Sequence, residues 1–271
     1  MNICEMWQGI EHHFNEAWVF LSDAAPAVLN SNFSVAATGS AFGAFGGAYC
    51  LWLINKKRER EHSLSQINTV LALLIAHMNS LLNFKKQHVL PFNEEMNNII
   101  KKIRNPGAHA QNNILEVEAY QIFKHVLEMG FDVNGITENL SPYAYKDSKS
   151  LLLAVKVKEA LLSVTEITKF RNGLVKVIQN NPSPAEVKIP FYLGELEVEG
   201  RSDSTFKDCT EGLLFNVDVA LHFIDLLIPR VQKIGQMILP KSYSKKIIKN
   251  EIIDGYAELV PPKDFIEGWE D

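Results

Sequence analysis

FSVAATGSAFGAFGGAYCLWLI, residues 33–54, is the stretch on which the reading of this chain turns. At about 1.5 Å of rise per residue a helix of this length reaches about 33 Å, enough to cross a hydrocarbon core of about 30 Å. No charged side chain occurs between Asp23 and Lys56, and Lys56 is the first cation of the chain. The apolar run ends against four cations, Lys56, Lys57, Arg58 and Arg60, interrupted only by Glu59. Such clusters stay on the cytoplasmic side of a span. The expectation is one transmembrane helix, with the N-terminus outside and the body of the chain in the cytoplasm. The competing reading is a buried core helix of a soluble protein, because Ala and Gly leave the run only moderately hydrophobic. The basic cluster favours the membrane.

Within the run, Gly39, Gly43 and Gly47 recur every four residues, with Ala36, Ser40, Ala44 and Ala48 one position over. Small residues at this spacing form a groove that a second helix backbone can approach closely. Gly39, Ser40, Gly43, Ala44 and Gly47 are therefore the expected self-association face of a homo-oligomer; a span that is simply rich in small residues is the alternative.

Composition bounds the rest. The formal net charge is −5, and Glu5, Glu11, Glu16 and Asp23 supply all but one unit of it. The body after residue 55 is thus close to neutral, which argues against a broad basic footprint for nucleic acid. Cys4, Cys50 and Cys209 are far apart and odd in number, so neither a disulfide framework nor a zinc spacing is present. Acidic residues rather than cations precede the apolar run, which fits an uncleaved anchor better than a cleaved signal peptide.

Periodicity orders the remainder. Ile3, Trp7, Ile10, Phe14, Ala17 and Leu21 make one helical stripe, with Trp7 and Trp18 suited to a headgroup level. After the cations, Ser63 and Gln66 suggest a capping box, and Leu64, Ile67, Leu71, Leu74, Met78 and Leu81 a stripe. Pro91 is expected to break the chain before a second helix that ends at Asn105-Pro106-Gly107. A third helix is expected to run to Gly130, followed by a polar loop holding Asn134-Gly135. Leu153, Val157, Ala160, Val164, Ile167, Phe170, Leu174 and Ile178 then form a long seam that wants helical partners. Val187, Ile189 and Phe191, with Leu196 and Val198, alternate at period two and predict a small hairpin, Pro190 confining its strand to an edge. A last long helix covers about 209–239. The expected fold is mainly α: an extracytoplasmic amphipathic helix (1–30), a transmembrane helix (31–55), a cytosolic helical bundle (56–240) with one small β-hairpin at about 186–199, and a C-terminal helix and tail (241–271).

One segment resembles a chemical site. Lys101, Lys102, Arg104, Asn105 and His109 lie in KKIRNPGAH, residues 101–109. The string RNPGAH, an Arg and a His separated by four residues with a polar residue after the Arg, resembles the signature of HEPN-domain ribonucleases. These are helical, usually dimeric RNA-cutting domains. The resemblance implies that Arg104 stabilises charge on the scissile phosphate and that His109 acts as general acid or base for attack by the 2′-hydroxyl, without a metal. Lys101 and Lys102 would hold flanking phosphates. The same residues also read as ordinary helix-stop chemistry, with Arg104 at a helix C-terminus where cations are favoured.

Other clusters are plainer. Glu11, His12, His13 and Glu16 can share a helix face but suit solvent, and His222 with Asp218 and Asp225 suits a hydrogen-bonded interior group. No phosphate loop, dinucleotide fingerprint, nucleophile elbow or zinc-protease helix occurs, and no cofactor or metal is expected. The layout is similar to that of small bacterial single-pass inner-membrane proteins. The leading expectation is therefore a non-catalytic one: a self-associating anchor in the lipid bilayer of the inner membrane, whose cytosolic domain binds or senses a protein partner, as a membrane effector of phage-defence type or a scaffold would. The alternative is a membrane-anchored, metal-independent endoribonuclease using Arg104 and His109, with RNA as its partner.

Overall fold

The computed structural model of the chain describes residues 32–105, 122–249 and 256–266, with the side chains of all of these but 32–38, 41 and 42. Among the described residues the fold is mainly helical and contains no β-strand. The chain divides into two compact units, Met1–Arg60 and Glu61–Asp271.

Helix α1, Asn32–Phe84, runs without interruption through residue 60. The capping box expected at Ser63 and Gln66 is therefore not formed. No proline lies between Pro26 and Pro91, and the residues of 55–66 include no glycine, so nothing stops the helix after the cations. Within Met1–Arg60, every described side chain from residue 43 to residue 55 is exposed, among them Phe45 (75 %) and Leu51 (62 %). Tyr49 and Trp52 stack with ring centres 5.8 Å apart, and the Lys56 ammonium sits 4.4 Å above the Trp52 ring.

In the second unit, Pro91 does not break the chain. Residues Lys85–Val89 form a π turn, and α2, Leu90–Arg104, follows directly with Pro91 in its first turn. A proline lacks the N–H and crowds the carbonyl four residues back; the wider π turn carries the chain past that clash with its helical course intact. The helix stops where expected. Asn105 leaves helical geometry (φ −124°, ψ 68°), as the residue before a proline tends to.

Two long helices carry the core: α4, Ser148–Asn180, and α6, Thr205–Ile238, which pack along one another, with the short α3, Asn134–Leu140, against α4. Asp147 caps α4, accepting from the Lys149 N–H and the Ser150 hydroxyl. Leu153, Val157, Leu161 and Val164 of α4 face Leu213, Val217, Leu221, Ile224 and Ile228 of α6, with Ile67, Leu71, Leu74 and Met78 of α1 completing the main core. Each such side chain contributes about 1.5–3 kcal/mol on burial. Gly235 allows a close crossing: a Cβ there would lie 2.8 Å from Ile247 and 3.1 Å from Ile67. A second cluster gathers Met96, Ile99 and Ile100 of α2, Ile122, Phe123, Val175, Ile178 and Phe206 with Ile189 of α5, Ala185–Tyr192, and Leu193 just after it.

Three expectations are corrected here. Residues 124–130 are not helical. With Ile122 and Phe123 they form a strap whose backbone is held by side chains of α4: Arg171 donates to the carbonyls of Ile122 (2.7 Å) and Lys124 (2.9 Å), and Gln179 to that of Phe123 (2.9 Å). Asn172 both accepts from the Val126 N–H (2.9 Å) and donates to the Val126 carbonyl (2.8 Å). The hairpin at 186–199 is absent as well. Residues 185–192 are helical, placing Ile189 and Leu193 four apart on the buried side. What remains of the hairpin is one antiparallel bridge, Val198 to Arg201, closed by a two-residue turn with positive φ at Glu199 (54°) and Gly200 (75°). Finally, Asn134-Gly135 begins α3 rather than a loop, with Asp132 accepting from the Gly135 N–H at 3.2 Å. The amphipathic helix expected over residues 3–21 lies outside the described residues.

By length and composition, two helical stretches are apolar enough to cross a membrane, Gly43–Arg104 and Thr205–Ile238, but the most apolar part of each is half buried within the protein. Since residues 43–55 are exposed and Lys56–Arg60 are all charged, the half-buried part of the first lies beyond Arg60, on the core face of α1.

The strap gives a direct test. Arg171→Ala removes two charge-assisted hydrogen bonds worth about 1.5 kcal/mol or more each, so unfolding stability in urea is expected to fall by at least about 3 kcal/mol. Arg171→Lys, which keeps the charge but not the planar fork, is expected to recover only part of it. Wild-type stability in Arg171→Ala would show that the strap is held by something else.

Candidate functional site

The segment resembling a ribonuclease site closes α2. Lys101, Lys102 and Arg104 occupy the last helical turn, where the exposed carbonyl ends favour cations. Arg104 is 61 % exposed, and one edge of its guanidinium is engaged: Nε donates to one oxygen of Glu195 and Nη2 to the other, both at 2.7 Å. Glu195 is the buried partner, its side chain 9 % exposed. It is brought there by the tight turn after α5. Gly194, at φ 72°, sits so close to Ser204 that a Cβ would lie 3.0 Å from the serine Cβ. The hydrogen bonds from Arg104 hold the Glu195 carboxyl below the usual carboxylate range, more than burial raises it, and Glu195 in turn raises the Arg104 guanidinium. A phosphate held bidentately by Nε and Nη2 of Arg104 would have to displace this carboxylate. His109 lies outside the described residues, as do Pro106 and Gly107.

Two buried cations escaped the sequence reading. Lys85, in the π turn, meets Asp218 of α6 at 2.6 Å and donates to the Leu259 carbonyl at 2.7 Å. Burial raises the Asp218 carboxyl, against the pull of Lys85. The C-terminal residues thereby close over the turn, with the Tyr256 hydroxyl donating to Asn83 (2.8 Å) and Lys86 lying 4.6 Å over the Tyr256 ring. Arg171 is the larger surprise. It is fully buried, and its guanidinium lies 4.6 Å from the Phe92 ring centre and 5.1 Å from that of Phe206. Burial pulls its pKa down to about 10, which still leaves it charged at neutral pH, while burial pushes the neighbouring Cys209 thiol up. A lysine in a helical row KKQHV, or an arginine in KFRN, carries no local sign of burial; only the distant partners reveal it.

The remaining candidates are simpler. Cβ atoms added at Gly39, Gly43 and Gly47 meet nothing within 4 Å among the described residues, so the glycine face is open there. Lys57 and Arg58 of the basic cluster are exposed, Lys56 and Arg60 partly so. His222 is buried between the Phe223 and Phe265 rings (5.6 and 5.8 Å), while Asp218 turns to Lys85. Among the described residues no three His, Cys, Asp or Glu side chains converge as a metal site would require. The residues Glu11, His12, His13 and Glu16 lie outside them.

The Arg104 pair has a titration signature. A depressed folded pKa means that Glu195 adds stability above the ordinary carboxylate range, near pH 4.5, and loses it as pH falls through the lower folded value. NMR titration should place Glu195 below the exposed glutamates, and Arg104→Met should bring it up. An unchanged Glu195 in that variant would mean the pair is not formed in solution.

No family model, no curated protein and no solved structure matches this chain.

Proposed function

We propose that the protein is a single-pass anchor of the bacterial inner membrane, N-terminus outside. Its span self-associates through Gly39, Ser40, Gly43, Ala44 and Gly47, and its helical domain binds or senses a protein partner in the cytoplasm. The observation that carries this reading is the run of exposed, uncharged residues at 43–55. Water is a poor solvent for such a surface, whereas lipid is a good one, and Tyr49, Trp52 and Lys56 at its end suit the headgroup region. The open glycine face supports self-association, because no described residue uses the space those glycines leave.

Two measurements test it. The full chain expressed in a bacterium is expected to stay in the membrane pellet after alkaline carbonate washing; extraction into the supernatant would overturn the anchor. Oxidative crosslinking through Cys50 is expected to give dimers or higher species that Gly43→Ile/Gly47→Ile abolishes. A monomer under every condition would sink self-association while leaving the anchor standing. The ribonuclease alternative is decided in the same cells, where total RNA is expected to remain intact in wild type and in His109→Ala; fragmentation that the substitution abolishes would replace the non-catalytic reading.

A further inference from the structure

A cleft of about 640 Å³ opens where α6 passes the start of α4. Its charged lining is one-sided. Lys146, Arg230, Lys233 and Lys263 face it, against a single carboxylate, Asp147. That carboxylate is already committed: burial would raise its pKa, but hydrogen bonds from Ser150 and Lys149 and the charge of Arg230 hold it below the usual range. Arg230 approaches it at 3.6 Å and Ser150 at 2.6 Å. The cleft therefore carries an excess of three positive charges, although the unit that holds it, Glu61–Asp271, has more acidic than basic side chains.

The rest of the lining is apolar. Leu226, Pro229 and Met237 belong to the same face of α6 as Arg230 and Lys233, at helical spacings of three and four. Sites for small molecules have volumes of about 300–1,000 Å³ and combine an apolar wall with a few converging polar groups. Cations gathered without matching carboxylates repel one another, and an anion placed among them relieves that repulsion. A solvated lysine face would show neither the concavity nor the apolar floor.

We propose that this cleft binds a small phosphorylated molecule of the nucleotide class, its phosphates held by Arg230, Lys233, Lys263 and Lys146 and its ring laid on Leu226 and Met237. Arg230 supplies the planar fork suited to a phosphate, and the lysines supply mobile point charges. The site would give the cytosolic domain a chemical signal to respond to. It stands independently of the membrane reading, since the cleft lies wholly within Glu61–Asp271.

The test is calorimetric titration of the purified full chain with ATP, with pyrophosphate, and with vesicles of phosphatidylglycerol. ATP is expected to bind saturably at about 1 mM or tighter. The affinity should fall by about tenfold or more in Lys233→Glu and in Lys263→Glu, as loss of a charged hydrogen bond predicts. Both lysines are exposed, so the variants should fold, which melting by circular dichroism checks. Pyrophosphate is expected to bind more weakly than ATP in wild type and equally in Met237→Glu, locating the ring on the apolar floor. Absence of saturable ATP binding overturns the proposal. So does binding that survives in Lys233→Glu/Lys263→Glu, or an interaction seen with anionic vesicles alone. None of these outcomes alters carbonate extraction, so this proposal and the anchor fail separately.

Discussion

A buried guanidinium that meets carbonyls and aromatic rings in place of a carboxylate is the constraint around which the larger unit is arranged. Taking such a charge out of water costs several kcal/mol even after the surroundings relax. Arg171 offsets that cost with two main-chain carbonyls on one side and two aromatic faces on the others. Those groups come from three places, the strap at 122–124, Phe92 in α2 and Phe206 at the start of α6, and α4 carries the arginine, so four segments meet. One side chain therefore fixes the mutual approach of all four. The next residue extends the same logic. The Asn172 amide offers Val126 one donor and one acceptor, as a neighbouring strand would, so that the backbone N–H and carbonyl of this non-helical residue are both satisfied against a helix.

The charged groups of this unit sort by burial. Lys85, the other buried cation, is matched by Asp218 and the Leu259 carbonyl; where the buried partner is the carboxylate, as at Glu195, a more exposed arginine reaches in to it. Along the outer end of α6, by contrast, cations outnumber anions in a concave place. That distinction separates packing from recognition more clearly than residue type does.

How much of this was legible depends on where the determining contacts lie. Helices whose burial is set by local periodicity were readable: Ile67, Leu71, Leu74, Met78 and Leu81 lie in the core as their spacing requires, and so do Met96, Ile99 and Ile100. The seam of α4 was readable as far as Val164. Beyond it the buried face shifts by one residue to Arg171 and Val175, leaving Phe170 more than half exposed, and meets the expected seam again at Ile178, because the interior there is polar as well as apolar. The strap and the hairpin were misread for opposite reasons. Apolar spacing around Ile122 and Val126 resembles a helix, but the hydrogen bonds that decide the conformation come from side chains 46–56 residues away. Val187, Ile189 and Phe191 alternate over too few residues to distinguish two periods, and helical packing of Ile189 and Leu193 prevails. At the RNPGAH segment the sequence marks a helix end, and the helix ends there; the carboxylate that claims Arg104 stands 91 residues on and leaves no trace nearby.

The π turn at Lys85–Val89 has a consequence for how this chain tolerates change. A turn closed five residues back rather than four holds one residue more than an α-helix needs, and each added residue rotates the remainder of a helix by about 100°. The turn thus acts as a swivel between two interiors: residues up to Val89 and Phe92 serve the main core, while Met96, Ile99 and Ile100 further on serve the second. Loss of a single residue from this turn would restore a uniform helix and swing the entire inner face of α2 out of register. A gene lineage can drift freely in the exposed positions of α2, but it can neither gain nor lose a codon at the swivel without remaking a core.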